Sequence, residues 1–496
     1  MNWKNLLSNE RLRKSSVTEK MRNANNDYRT DIESDFGRVI FSSACRRLHD
    51  KTQVFPLTTD DNIHSRLTHS MEVMNIGQSF VFTLSQSEKF KTHTGLSEVD
   101  ILRNLAAALK VACLVHDIGN PPFGHFGETS LQGYFKELFE NPLCNNKFKM
   151  TTSDRWKLFK LAHSSAALDY TQFDGNAEGL RVLTKLQFID TLDGLNLTFA
   201  SLGAFMKYPN AKAMNKTKGA YIGMHKHGVL TTENNVLVAT QKACKLPTVD
   251  NAVVRHPLSF LMEASDSICY LTMDIEDGLK KKWMTVKDVL KRIKKYAEKE
   301  NLSFDKNAKK LCDDIEHDVD NNQITERKRI LNLRTHLMGY LINKALVNFI
   351  DNIEQIENGS YKNELIEDDC NKIALALKRI SREVILNSRE VISLEITGKA
   401  VIYGILDAYI RMFFSEDKQL RNRAKRLVSK TIFLVTLQEH LERTEYKKKA
   451  DDVYESFDVK DFTVEERLRI LRDYVSCMTD KFALNHYRKL SGQKIY

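Results

Sequence analysis

The chain has 496 residues, of which 42% are hydrophobic and 28% charged. That is enough apolar material for one large core or two to three ordinary ones, so a folded globular protein is expected and disorder is not. With 7 prolines and 20 glycines, collagen-like, linker-rich and propeller-like readings are excluded, while a net charge of +10 biases the partners toward polyanions such as nucleotides and nucleic acid.

From the N-terminus, Met1 to Thr30 is rich in Asn, Lys, Arg and Ser and contains no apolar stretch of signal-peptide length, so a cytoplasmic location is expected. The most apolar run, Leu105 to Ile118, is interrupted by Lys110, His116 and Asp117 and is too short and too charged to span a bilayer. No membrane partner is expected. Hydrophobic residues recur at helical spacing in Ile101 to Val115, Leu180 to Leu192, Leu258 to Leu271, Arg329 to Ile350, Ile396 to Phe413 and Arg467 to Met478. Between them, Lys218 to Ala239 carries Gly223, Gly228 and paired threonines before Val236, Leu237 and Val238, and reads as a loop or small hairpin. Two basic stretches follow, Lys280 to Lys295 and Arg421 to Lys430. In the first, Trp283, Val286, Val289, Leu290 and Ile293 form a helical stripe, which makes the charges the solvated face of a surface helix; an electrostatic contact with nucleic acid is the alternative. The 8 cysteines contain no CxxC pair, which argues against a zinc ribbon or a disulfide framework. With no Gly/Ser or Pro tract to mark a linker, the expectation is a mainly α protein, one helical body with C-terminal helices packed on it and at most a small hairpin.

The chemistry is concentrated in three segments: Arg66-Leu-Thr-His69, Ala112-Cys-Leu-Val-His116-Asp117-Ile-Gly-Asn, and Glu263-Ala-Ser-Asp266. A His-Asp dipeptide is common by chance. Here it ends an apolar helical run and is followed by Gly119-Asn-Pro-Pro122, which stops the helix and opens a loop beside two polar side chains. Burying such groups at a helix end is costly unless something satisfies them, and a divalent metal would do so. Each residue alone is better read as a core histidine or a helix cap; the four in this order point to metal ligation by His69, His116, Asp117 and Asp266. Mixed nitrogen and oxygen donors suit Mn, Fe, Co, Ni or Zn, and Mg less readily; Mn or Mg is the metal expected to support activity in assay. Such a metal polarises a phosphoryl group and acidifies water.

The ordered H…HD…D set resembles the HD superfamily of phosphohydrolases, whose fold is a helical bundle. The flanking text is similar to bacterial dGTP triphosphohydrolases. The similar segments are Arg46-Arg-Leu-His-Asp-Lys-Thr-Gln-Val-Phe-Pro56, Arg66 to Val73, His116-Asp-Ile-Gly-Asn-Pro-Pro-Phe-Gly-His-Phe-Gly-Glu128, Phe173-Asp-Gly-Asn-Ala-Glu-Gly179, Asp266-Ser-Ile-Cys-Tyr270 and Asp473-Tyr-Val-Ser-Cys-Met-Thr-Asp480, so the resemblance covers essentially the whole chain. Departures are Asp174 and Glu178 in place of Glu and Gln, Cys477 in place of Gly, and Ser265-Asp266-Ser267 in place of an Ala-Asp-Asp run. None removes a proposed ligand.

The resemblance implies an HD catalytic core over 61–280, preceded by a segment, 1–60, that contributes to the nucleotide site and followed by a helical region, 281–496, packed on the core and in oligomer contacts. It implies His125 and Glu128 as the catalytic pair, working by proton transfer. Arg66, Lys207, Tyr208 and Asn176 are the implied triphosphate contacts. Asp266, Tyr270 and Asp274, four apart on one helical face, would present Tyr270 and Asp274 to the sugar; core packing and a solvated face are their ordinary alternatives. Gln53, Val54 and Glu395 are the implied base-side residues. The activity implied is hydrolysis of dGTP, or of dNTPs more broadly, to deoxynucleoside and inorganic triphosphate. Alternatives are another HD-type nucleotide phosphohydrolase, or a nucleic-acid-binding regulatory protein whose HD site is structural. A homo-oligomer, commonly a hexamer in the family, is implied, with single-stranded DNA or dNTPs as the effectors to which members respond.

Overall fold

In the computed structural model, residues 1–13, 27–53, 57, 64–143, 147–187, 192–217, 219–445 and 449–493 are described. The protein is mainly α, and the only paired strands among the described residues, β1 (Thr248–Val249) and β2 (Ala252–Val253), form one short antiparallel hairpin.

The helices that position the site are α1 (Asp31–Ile40), α2 (Arg66–Gln86), α3 (Ala106–Val115), α4 (Gly124–Glu140), α5 (Gly175–Arg181) and α6 (Phe199–Phe205), then α7 (Asn234–Cys244) and α8 (Pro257–Lys280). In the C-terminal half they are α9 (Val286–Lys299), α10 (Lys306–Asp320), α11 (Glu326–Asp351), α12 (Ile373–Ile380), α13 (Arg389–Phe413), α14 (Val464–Ser476) and α15 (Asp480–Leu490). Helix α3 is apolar but for Lys110, whose ammonium lies over the Phe36 ring, and it sits at the centre, packed on α1, α2, α6 and α8, because a helix so nearly without a polar face has no stable place but the interior. Helix α8 is likewise buried along nearly its whole length, between α2 and α11. Farther along the chain, α13 lies across α4 and α15. Apolar side chains from Trp3 to Ala483 join one continuous core.

The helical expectations hold with shifts at the ends. Helix α8 begins at Pro257, whose missing N–H costs nothing in a first turn, and α14 starts with a capping box between Thr463 and Glu466. The helix expected over Leu180 to Leu192 closes in a π-helical turn over Val182–Leu186, and residues 188–191 of that expectation lie outside the described residues. Val236, Leu237 and Val238, expected in a loop or small hairpin, lie on α7 instead: Val236, Leu237, Thr240 and Cys244 are buried at helical spacing, which outweighs the β preference of the two valines. Lys218, at the start of that segment, lies outside the described residues.

Helix α9 buries Val286, Val289, Leu290 and Ile293 of the expected stripe, with Ala297 added, but Trp283 lies in the turn before the Thr285 cap and not on the helix, because the capping box of Thr285 and Asp288 starts it there. In the second basic stretch two cations turn inward. Arg421 pairs with Asp458 at 2.6 Å and Lys425 gives its protons to backbone carbonyls, that of Phe457 at 3.0 Å among them. All seven described cysteines are free thiols. Among the described residues no helix is long and apolar enough to cross a membrane.

Candidate metal centre and its surroundings

Helix α3 ends at His116 because the next residues cannot continue it. Gly119 approaches α5 so closely that an added Cβ would lie 2.0 Å from Gly179 N and 2.3 Å from Gly175 O. Gly175 in turn leaves room for Asn120, whose Oδ1 would stand 1.9 Å from a Cβ there. Pro121 and Pro122 follow, and Phe123 and Gly124 turn the chain into α4 with left-handed φ angles of 66° and 58°.

The two residues at the end of α3 are oriented by local bonds. His116 Nδ1 lies 2.7 Å from the Cys113 carbonyl, so it carries the proton and leaves Nε2 as the lone-pair nitrogen. Asn120 donates to Asp117 Oδ1 at 2.6 Å, and Arg66, from α2, to Oδ2. Asp266, from α8, sets Oδ1 3.0 Å from His69 Nε2 and 3.4 Å from His116 Nε2. Ligand atoms of His69, His116 and Asp117 all lie within 4.8 Å of one another.

The donor set fits a divalent cation on an independent observation. His116 Nε2, the nitrogen that faces Asp266, is buried and has no hydrogen-bond partner, which is expensive unless something else satisfies it. Burial alone would lower the pKa of His116, yet the carboxylates of Asp117 and Asp266 raise it to about 9. This is a field that draws positive charge to the site.

Beside this cluster, the first turns of α4 present His125 and Glu128. Glu128 is buried and accepts from Gly175 N through Oε1 and bonds His125 Nδ1 through Oε2, both at 2.7 Å. Burial pushes its carboxyl up, but His125 and Lys226 overcome that and hold it at about 2. The reciprocal charge of Glu128 raises the pKa of His125. His125 is 84% exposed, leaving its other ring nitrogen open to solvent.

Paired cations stand nearby, of which Lys226 acts on both His125 and Glu128. Lys207 lies 3.2 Å from Glu263, which is buried on α8 and also pairs with Arg255 at 2.8 Å. Tyr208 lies between two ammonium groups, Lys207 at 5.6 Å and Lys226 at 5.7 Å from its ring centroid. Asn176 opens α5, its amide held 2.6 Å from Asp174. Tyr270 is half-buried one turn beyond Asp266, near Lys378 and Glu364. A further turn on, Asp274 is buried and accepts from Ser381 Oγ at 2.7 Å, and desolvation pushes its pKa up to about 7.

Of the base-side residues, Gln53 adjoins Gly124, its carbonyl 3.9 Å from where a Cβ there would lie. Glu395 is exposed on α13, one turn before Gly398, which abuts the Phe123 side chain. Val54 lies outside the described residues.

The fold also gathers residues that sequence reasoning did not single out. Lys226 Nζ lies 2.5 Å from Asp174 and contributes to the acidity of Glu128; it comes from a segment without periodicity, so nothing in the text marked it. Lys51 is buried with its ammonium on the carbonyls of Asn120 and Ser476, and burial lowers its pKa to about 8. Asp480 accepts from Thr52 N, Thr52 Oγ1 and Phe123 N at 3.0, 2.6 and 2.8 Å, fastening the start of α15 to the loop before α4. Asp473 is fully buried between Arg181 and Arg472, at 2.7 Å from each. The Asp473–Asp480 segment is thereby tied both to the loop before α4 and to Arg181 of α5.

A buried helix that ends on His116 and Asp117, met there by His69 and Asp266 from two neighbouring helices and flanked by a His-Glu pair, defines a helical protein with a cluster of side chains able to hold a divalent metal. No protein-family model matches the chain. It is 32% identical to the deoxyguanosinetriphosphate triphosphohydrolase-like protein of Listeria innocua, covering 99% of this chain and 100% of that one. The counterpart in Listeria monocytogenes is 31% identical over the same shares. The deoxyguanosinetriphosphate triphosphohydrolase of Yersinia pestis is 29% identical, with 92% and 93% covered. The chain belongs to the deoxyguanosinetriphosphate triphosphohydrolase family, and it is a hydrolase.

Proposed function

We propose that this protein hydrolyses deoxynucleoside triphosphates, with dGTP preferred, to deoxynucleoside and inorganic triphosphate. One observation carries the reading: the clustered donors of His69, His116, Asp117 and Asp266, with the buried His116 Nε2 unpartnered, adjoin the His125–Glu128 pair and the Lys207, Tyr208 and Lys226 group. The dGTP preference is taken from the names of the relatives.

In this reading His69, His116, Asp117 and Asp266 would hold a divalent cation, Mn or Mg in assay, with Fe, Co, Ni and Zn also suited to the donors. When bound, it neutralises phosphate oxygens and acidifies water. Glu128, ionised at about pKa 2, fixes the Nδ1–H tautomer of His125 and stabilises the imidazolium. His125 accepts a proton from water through its free nitrogen as the water oxygen bonds the α-phosphorus. The bond from phosphorus to the 5′-oxygen breaks, and the proton passes to that oxygen. Lys207, Lys226, Tyr208, Arg66 and Asn176 take the triphosphate, whose charge rises as the bond breaks. Arg66, now on Asp117, divides its fork between ligand and phosphate.

Tyr270 and Asp274 bound the sugar, Asp274 with the oxygen that Ser381 leaves free. Gln53, Val54 and Glu395 lie on the base side. Residues 1–60, 61–280 and 281–496 are the proposed divisions, nucleotide-side segment, catalytic core and C-terminal helical region. A cytoplasmic homo-oligomer, with a hexamer as the form to test first and with single-stranded DNA or dNTPs as effectors, completes the proposal.

The test is an assay of the purified protein on the four dNTPs and four NTPs with Mn or Mg, resolving products by chromatography. Deoxyguanosine and triphosphate in equal amounts are expected. Monophosphate with pyrophosphate, or release of single phosphates, overturns the mechanism; equal turnover of all dNTPs overturns the preference.

A further inference from the structure

The basic helix that the sequence pattern assigned to solvent has a built face. A cavity of about 310 Å³ lies between α9 and α12, outside the metal site. Lys291, Arg292, Lys295 and Lys299 line it from α9, and Arg379 closes it from α12. Residues 291, 295 and 299 are four apart and so project along one helix face. No carboxylate lies within 4.0 Å of these three ammonium groups among the described residues.

The two guanidinium groups share one counter-ion. Glu383 reaches Arg379 Nε at 2.7 Å with one oxygen and Arg292 Nη1 at 3.0 Å with the other. The Arg379–Glu383 contact is a local i,i+4 pair, whereas Arg292 reaches Glu383 from the other helix, and a phosphate oxygen could replace the carboxylate between the two guanidiniums with more charge. Asp288, the other acid at the rim, is committed to capping α9 through Thr285, at 2.9 and 2.7 Å. The one aromatic lining residue, Tyr296, has the Arg379 guanidinium 5.8 Å from its ring centroid. The other lining groups are the cations, the two acids and the aliphatic Ala376 and Ile380, so phosphate is the ligand chemistry the lining suits best.

The wall that carries Arg379 also reaches the proposed active site. Helix α12 passes directly into a π-helical segment, Ser381–Leu386, an irregularity often found at functional positions. Neighbouring residues face the other way: Lys378 pairs with Glu367 and, at 3.3 Å, with Glu364, and Ser381 bonds Asp274.

We propose that the cleft between α9 and α12 binds a short inorganic polyphosphate, which displaces Glu383 from between Arg292 and Arg379 and is held by Lys291, Lys295 and Lys299. Naming inorganic triphosphate as the natural member of that class rests on the proposed reaction, which releases it. The cleft and its chemistry do not depend on that reaction.

The experiment is calorimetric titration of sodium triphosphate into the full-length wild type, a cleft variant (Lys291→Ala, Lys295→Ala, Arg379→Ala), an active-site variant (His116→Ala, Lys207→Ala), and Glu383→Gln. The active-site variant should retain a binding event that the cleft variant loses, with affinity falling at least ~100-fold when the three cations are removed. Binding should weaken as salt rises, since the cations are exposed. Glu383→Gln should tighten it several-fold by removing the competing charge, a gain that misfolding cannot produce. Undiminished binding in the cleft variant, or no gain in Glu383→Gln, overturns the proposal. So does a single-stranded deoxynucleotide decamer that binds the cleft more tightly than triphosphate, which would make the site a nucleic-acid contact. If triphosphate binds the cleft as expected while the substrate assay yields other products, the cleft stands and the proposed reaction falls.

Discussion

Replacing Glu128 by Gln tests the proton-transfer pair with little change of shape. In the native site one oxygen takes Gly175 N and the other His125 Nδ1, each at 2.7 Å. Glutamine keeps an acceptor for one of them and loses the charge that stabilises the imidazolium. A hydrogen bond involving a charged group is worth about 1.5–3 kcal/mol, which, if realised only in the transition state, corresponds to a loss of roughly 10- to 150-fold in kcat. The pH profile carries a second signature. With His125 proposed as the base, activity should fall as pH drops through its pKa, which Glu128 holds above the ordinary value. Without that charge the pKa falls, and the acid limb of kcat/KM moves to lower pH while the plateau drops. The assay is steady-state hydrolysis from pH 5 to 9 on samples matched for bound metal. An unchanged plateau with an unmoved acid limb refutes the pairing, and loss of metal together with activity shows that the residue belongs to the ligand shell.

Three further outcomes are expected. His116→Ala or Asp117→Ala should lose bound metal and turnover while circular dichroism stays helical, since the apolar residues of α3 are untouched; near-normal metal content with a near-normal rate removes the site. Asp274→Asn should keep the Ser381 bond and lower the dGTP-to-GTP ratio of kcat/KM. The native carboxyl has its folded pKa raised to about 7, so the folded state holds a proton that the unfolded state has lost, and stability declines as pH rises from about 4 toward and past 7. The melting temperature of the Asn variant relative to wild type should therefore increase between pH 5 and pH 8, and a constant difference would show that the group titrates normally. Gly119→Ala would set a Cβ 2.0 Å from Gly179 N, against backbone that has no rotamer to change. Destabilisation of about 1–3 kcal/mol by denaturant titration, with loss of activity from a displaced loop, is expected; wild-type stability would contradict the close packing.

The order of events along the chain was legible in one dimension because its causes are local. The period of the apolar residues marks a helix wherever it occurs, so Ile101 to Val115 and Leu258 to Leu271 could be read directly. A run apolar on nearly every side must be buried, and Gly119, Pro121 and Pro122 must end it, so His116 and Asp117 were recognisable as polar groups at a buried helix end. Where local signals competed, the text misled: Val236-Leu-Val238 has strand-like composition, and only packing of one face against the core made it helix.

What the sequence by itself determined was the mainly α class, the helix bearing His116 and Asp117, and, through text resembling known hydrolases, the family. Only the tertiary structure decided which distant groups meet. Lys226 stands beside Asp174 and near Glu128, the Glu383 carboxylate joins Arg292 to Arg379, and Asp480 holds a loop more than three hundred residues away. The reason is physical. Periodicity records which face of an element is apolar, and that is a property of neighbours in the chain. A charge finds its partner through the three-dimensional packing of those faces, where desolvation makes a pairing between remote residues costly to omit, and no spacing along the sequence encodes it.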